Sequence, residues 1–165
     1  MTDSHDSLTK RLADAYHTLM EQVHDKIEKE IHPKVSDAIE DSKEKMAELG
    51  ELSKEEIDDV ATYLKRDLKD AGEYLASNDS LTDWLKFDVA LIENELWQRL
   101  TSLADKTRLE LDQWAESGSH YHTGHITSPG TLICRNCGKQ LHFTRPSHVP
   151  PCPGCRGTDF KREAS

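Results

Sequence analysis

All four cysteines of this 165-residue chain lie in one stretch near its end, "CRNCGKQLHFTRPSHVPPCPGC". They form two pairs of equal length, Cys134-x2-Cys137 and Cys152-x2-Cys155, separated by 14 residues. A two-residue gap lets one tight turn aim both sulfurs at one ion, and two such turns complete a tetrahedral shell with Zn–S distances of about 2.3 Å. Gly138 after the first pair, and Pro153 and Gly154 inside the second, suit turns of this kind. Cys134, Cys137, Cys152 and Cys155 are therefore the expected metal ligands. Zn²⁺ is the expected ion, with iron able to occupy the same thiolate cage. Four protein ligands leave no corner open for substrate or water, so the metal is expected to be structural and the protein not an enzyme.

The segment around these pairs is small. From Gly130 onward it offers only Leu132, Ile133, Leu141, Phe143, Val149 and Phe160 as core. Units below about 40 residues usually need a metal, disulfides or a partner to fold. The start, "MTDSHDSLTK", reads as no export signal, which places the protein in the cytoplasm, where thiols stay reduced and metal is favoured over disulfide. The longest wholly apolar run, "VALI", is far too short to span a membrane.

Other constellations are weaker. His120, His122 and His125 cluster just before the cysteine-bearing segment and could form a second metal site or a proton-responsive hinge. Solvated linker histidines are the commoner case. Glu21-x-x-His24 has the spacing of a carboxylate-bridged di-iron motif, but no second such pair exists. No phosphate-binding glycine loop or nucleophile elbow is present.

The elements that must carry the site are helical. Apolar residues recur as Leu8, Leu12, Tyr16, Leu19, Val23, Ile27, Ile31, Val35 and Ile39, a single helical stripe. Pro33 interrupts it, and because the stripe resumes in phase a kink is expected there. Gly50 suits a helix C-cap, and Ser53 with Glu56 a capping box opening a second helix that runs to about Ala76. Ser80 caps an expected long third helix lined by Leu81, Leu85, Val89, Ile92, Leu96, Leu100, Leu103, Leu111 and Trp114. A merger of the last two helices would leave a two-helix hairpin. Trp84, Trp97 and Trp114 read as packing residues. Strands are expected at 131–133, 140–143 and 159–162.

The fold class that follows is mostly α: an elongated antiparallel helical hairpin or three-helix coiled-coil-like body over residues 1–117, a linker over 118–130, and a small β zinc ribbon over 131–165. The body carries a net charge of −14 and the remainder +4, within a total of −10. An acidic stalk would then present a mildly basic tip to a macromolecular partner, most simply a protein, and the helical stripes could support a homodimer. The alternative is a nucleic-acid-binding or transcription-machinery accessory factor, with Arg145, Lys161 and Arg162 on phosphates and Phe143 and Phe160 stacking bases.

"YHTGHITSPGTLICRNCGKQLHF" and "VPPCPGCRGTDFKR" resemble the C-terminal ribbon of the bacterial YbeL-like zinc-ribbon-containing proteins, a family of unknown function. "GELSKEEIDDVATYLKRDL" and "LIENELWQRLTSLADKTRLELDQW" resemble the helices that precede it. The resemblance runs from Gly50 to Arg162 and implies the same four cysteine ligands, without supplying a reaction. Two positions depart from the family's pattern: His125 stands where an acidic residue is usual, and Arg156 where a glycine directly follows the last cysteine.

Overall fold

A computed structural model of the chain describes residues 2–31, 33–111 and 120–162. Among the described residues, five α-helices, α1 Thr2–Lys29, α2 Val35–Leu49, α3 Lys54–Ser77, α4 Thr82–Leu85 and α5 Asn94–Arg108, precede six short strands. None of these helices is long and apolar enough to cross a membrane.

The apolar stripe of α1 faces inward from Leu12 onward, while Leu8, its expected first member, is exposed. Tyr16, Leu19, Val23 and Ile27 are buried. Pro33 produces a break rather than the expected kink: Glu30 to Lys34 contain no described helical residue, and Ile31, an expected stripe member, is 90 % exposed. A proline supplies no amide for the carbonyl four residues back and its ring crowds that carbonyl, so the helix ends. The chain then folds back. Lys26 on α1 pairs with Asp41 on α2 at 2.8 Å, which makes α1 and α2 an antiparallel hairpin.

The turn into α3 follows its sequence signals. Gly50 caps α2 at φ 71°. Ser53 Oγ accepts from the Glu56 amide at 3.1 Å, and Glu56 Oε1 accepts from the Ser53 amide at 2.9 Å. The most extensive helix seam joins α3 to α5. Gly72 makes it possible, because a Cβ there would sit 3.2 Å from the Arg108 backbone nitrogen.

The expected long third helix is divided. Ser80 is not its cap: the N-cap position falls to Leu81, without a side-chain bond, and Ser80 Oγ accepts from the Thr82 amide at 3.1 Å in the turn just before. The helix α4 lasts one turn and ends at Lys86 in the left-handed region, φ 64°. A short 3-10 turn at Val89–Leu91 follows, opened by Asp88, whose carboxylate accepts from the Ala90 amide at 3.0 Å. Tertiary contact overrides the helical pattern here: Thr131 in the β region donates its hydroxyl to the Leu85 carbonyl at 2.6 Å. The stripe residues Leu81, Leu85, Ile92, Leu96, Leu100 and Leu103 are buried all the same. Trp84 is buried and Trp97 packs against the core, while Trp114 lies outside the described residues.

The strands are β1 Tyr121–His122, β2 Ile126–Thr127, β3 Gly130–Cys134, β4 Gln140–Phe143, β5 Ser147–His148 and β6 Asp159–Arg162. An antiparallel sheet runs in the order β1-β6-β3-β4, and β2 pairs separately with β5. β3, β4 and β6 lie where the sequence placed strands. β1 and β2 fall within 118–130, expected as a linker. Tyr121 and Ile126 explain the difference, since both are fully buried: Tyr121 in the small core of the ribbon and Ile126 in the core of the helices. The ribbon is thus docked on α1, α3 and α4.

Candidate metal centre

Two turns build the site. After β3, the Gly138 amide donates to the Cys134 carbonyl at 2.9 Å, with Gly138 at φ 79°. In the second turn the Arg156 amide donates to the Cys152 carbonyl at 2.8 Å, with Arg156 at φ 63°. Arg156 therefore holds the left-handed position that glycine holds in the sister turn. Gly157 lies against the sulfurs: a Cβ there would stand 3.2 Å from both Cys134 Sγ and Cys155 Sγ.

The four sulfurs lie within 4.8 Å of one another. Cys134 and Cys155 Sγ are 3.6 Å apart, and Cys137 and Cys152 Sγ 3.5 Å. A disulfide would need about 2.05 Å, and all four thiols are unbridged. A regular tetrahedron with a Zn–S distance of about 2.3 Å has edges of about 3.8 Å, close to these separations. The donor set therefore fits a tetrahedral thiolate metal ion. The amides of Gly154 and Gly157 point at Cys152 Sγ and Cys155 Sγ, each at 3.4 Å, and support negative sulfur. The Asn136 side chain, then the Gly157 amide, draw the Cys155 thiol down to about 6. The amide of Cys155 leads in lowering Cys152. The Lys139 amide acts on Cys137 in the same sense, but the neighbouring sulfurs, Cys152 first, and burial outweigh it and push that thiol up to about 12.

Among the described residues, no other group of three or more metal-binding side chains brings its ligand atoms together. His120, His122 and His125 do cluster, with ring centroids 5.9–6.2 Å apart. The hydrogen bonds of His125 assign it otherwise. His125 Nδ1 faces Arg66 Nη1 at 3.2 Å and the His122 amide at 3.3 Å, so it acts as an acceptor. Its ring stacks on Tyr63 at 4.7 Å. Burial, then the Arg66 charge, hold His125 down to about 4. It is a neutral seam residue between ribbon and α3. Glu21 is likewise accounted for, paired with His17 at 3.1 Å.

The residues offered for nucleic-acid contact divide. Phe143 and Phe160 are buried in the ribbon core and present no face to a base. Arg162 is buried against the helices. Arg135, Lys139, Arg145, Arg156 and Lys161 are exposed.

The family model described as a zinc-ribbon containing domain matches residues 17–164. The chain belongs to that family. Among curated proteins it is similar to "Uncharacterized protein YbeL" of Escherichia coli K12, 33 % identical over 75 residues, covering 44 % of this chain and 47 % of that protein. The same protein of Escherichia coli O6:H1 matches with the same figures. The match thus spans about half the length of these relatives. No solved structure matches. For a zinc-ribbon containing domain, the four-cysteine cluster is the expected centre, and it supports a zinc-binding protein.

What spacing alone did not disclose is how the ribbon is held. Asp67 on α3 is fully buried and accepts from Tyr16 Oη at 2.5 Å, the Ser128 amide at 2.9 Å, Arg162 Nη2 at 3.0 Å and Arg66 Nε at 3.1 Å. Arg162 Nε also donates to Tyr121 Oη at 3.0 Å, and Tyr121 Oη donates to Asp70. The Arg162 guanidinium lies 4.4 Å from the centre of the Trp84 ring. Arg66 reaches the Ile126 carbonyl at 2.8 Å. Burial would lower Arg162, but Tyr121, Asp67 and Asp70 more than offset it and keep the guanidinium charged. Burial, then Asp67, raise the Tyr16 phenol well above its ordinary value. A Cβ at Gly130 would stand 2.4 Å from Arg162 Nη1, so glycine is required beside it. The available sequence signal was an aspartate three residues after Leu64 and one before Leu68, on the inward face of α3.

Proposed function

We propose that this is a non-enzymatic structural-zinc protein in which Cys134, Cys137, Cys152 and Cys155 hold one Zn²⁺. The convergence of four sulfurs within 4.8 Å is the observation that carries the reading. The ion supplies cohesion to a segment too small to fold on its own core. All four corners of the tetrahedron are taken by thiolate, so substrate has no place in the shell. Unbridged cysteines suit a reducing compartment such as the cytoplasm. Metal analysis of the purified protein tests this: one zinc per chain is expected, lost on Cys152→Ser together with ribbon order. Iron at the same stoichiometry, or no metal, would overturn the zinc assignment.

The docked ribbon turns its metal turns outward. Arg135, Lys139 and Arg156 are exposed around them. Lys139 is held over the second turn, its Cδ lying 3.3 Å from where a Cβ on Gly154 would stand. The partner that fits is an acidic protein segment, bound by charge through these side chains. Lys139→Glu with Arg156→Glu should abolish its capture while zinc content stays unchanged.

The exposed cations also favour a second reading, contact with a nucleic-acid backbone without base stacking. It predicts binding to duplex DNA or RNA whose logarithm falls linearly with that of salt. Flat titrations at low salt remove it.

A further inference from the structure

The sulfurs and the buried carboxylate of α3 belong to one continuous piece of structure. β6 begins four residues after Cys155 and ends at Arg162. Within the sheet Phe160 lies opposite Cys134, and Arg162 opposite Leu132. Cys134, Cys152, Phe160 and Tyr121 share the small ribbon core. Tyr121 then passes its hydroxyl to Asp70, and Arg162 passes its charge to Asp67. On the helix side the same Asp67 takes the hydroxyl of Tyr16 from α1. Next to this cluster, Ile126 of β2 is seated in the helical core.

We propose that metal occupancy at the four cysteines and docking of the ribbon on the helices are thermodynamically coupled, with Arg162 and Asp67 as the coupling pair. The proposal rests on the metal-binding reading above and goes beyond it. A ribbon of this size keeps β6 in register only while the cysteines are gathered. When they release their ion, β6 loses its pairing with β3, and Arg162 leaves Asp67. The buried carboxylate then lacks its cross-segment counter-charge, a state that favours opening of the seam. Opening uncovers the α1–α3 face bearing Tyr16, Asp67 and the socket of Ile126. Linkage is reciprocal: if metal favours docking, docking favours metal by the same factor. A change at Asp67 on α3 therefore weakens metal retention at sulfurs it does not touch.

The test measures zinc affinity by chelator competition in the full chain for wild type, Asp67→Asn, Tyr16→Phe and the surface control Glu95→Gln. Helix content by circular dichroism shows that each variant folds. Asp67→Asn should weaken zinc by about 5- to 150-fold, Tyr16→Phe by less, and Glu95→Gln not at all. A second readout is Trp84 fluorescence in a Trp97→Phe/Trp114→Phe background, where chelation should change the signal as Arg162 leaves the ring. If wild type binds no metal, the metal reading and the coupling both fall. If wild type binds zinc, the variants match it within twofold and Trp84 does not respond to chelation, the coupling alone is overturned.

Discussion

Arg162 Nη2 and Asp67 Oδ1 lie 3.0 Å apart across 95 residues of chain, with the arginine side chain 5 % exposed and the aspartate 0 %. This pair fastens the ribbon to the helices. Breaking the pair from the Asp67 side leaves buried Arg162 with Asp70, 3.7 Å from its Nε, as its remaining carboxylate. Asp67→Asn should cost about 3–5 kcal/mol of stability, read from urea unfolding followed by circular dichroism. Asp67→Asn combined with Arg162→Met removes both charges and should recover part of that loss. A double variant as unstable as the sum of the singles would show that the two residues do not act together.

His125, held below its ordinary value by burial and by Arg66, should give the seam a pH dependence. Its value in the folded protein is about 4, against 6.5 for the ordinary group. Between those values the unfolded chain binds more protons than the folded one, so stability rises with pH. The stabilisation is complete above about pH 6.5 and declines as pH falls toward 4. Thermal unfolding between pH 4 and 7.5 should show a shallower slope for His125→Gln, which retains an acceptor for Arg66. Equal slopes would exclude His125 as the source.

Arg156 sits at φ 63° where the first turn uses Gly138 at φ 79°. A side chain in that region costs about 1–2 kcal/mol, partly offset by the greater chain entropy of glycine. Arg156→Gly should therefore raise the unfolding free energy of the metal-loaded protein slightly, by up to about 1 kcal/mol, while weakening capture of an acidic partner. Loss of both stability and capture would mean that the arginine supports the turn itself.

Glu110, beyond the end of α5, accepts from the Val35 amide at 2.7 Å and so caps the first turn of α2 from 75 residues away. Glu110→Ala leaves that buried amide unsatisfied and should cost about 1–2 kcal/mol. The readout is the urea midpoint. An unchanged midpoint would show that water replaces the carboxylate without penalty.

The parts legible in the sequence were those set by local chemistry. Cysteine spacing located the two turns that gather the four sulfurs, Gly50 and Ser53 located the α2–α3 turn, and the helical stripes identified most of the buried faces. Non-local competition hid the rest. Nothing near Leu85 announces that Thr131 will take its carbonyl, so α4 looked like the start of a long helix. Tyr121 and Ile126 stand in runs too short to show alternation, so β1 and β2 looked like linker. Arg162 looked like a tip cation because its acidic partners lie on α3. Phe143 and Phe160 looked available for stacking because ribbon strands alternate, and only the fold decides which face closes.

Tyr16 from α1 and Arg162 from β6 meet on one carboxylate, which orders events during translation. The helices leave the ribosome first, carrying Asp67 without its arginine. The seam cannot close in full until residue 162 has emerged, because Arg162 is one of its contacts. Contacts this distant along the chain form late. A nascent chain whose helices have emerged but whose residue 162 has not would therefore expose Asp67 without its partner from β6.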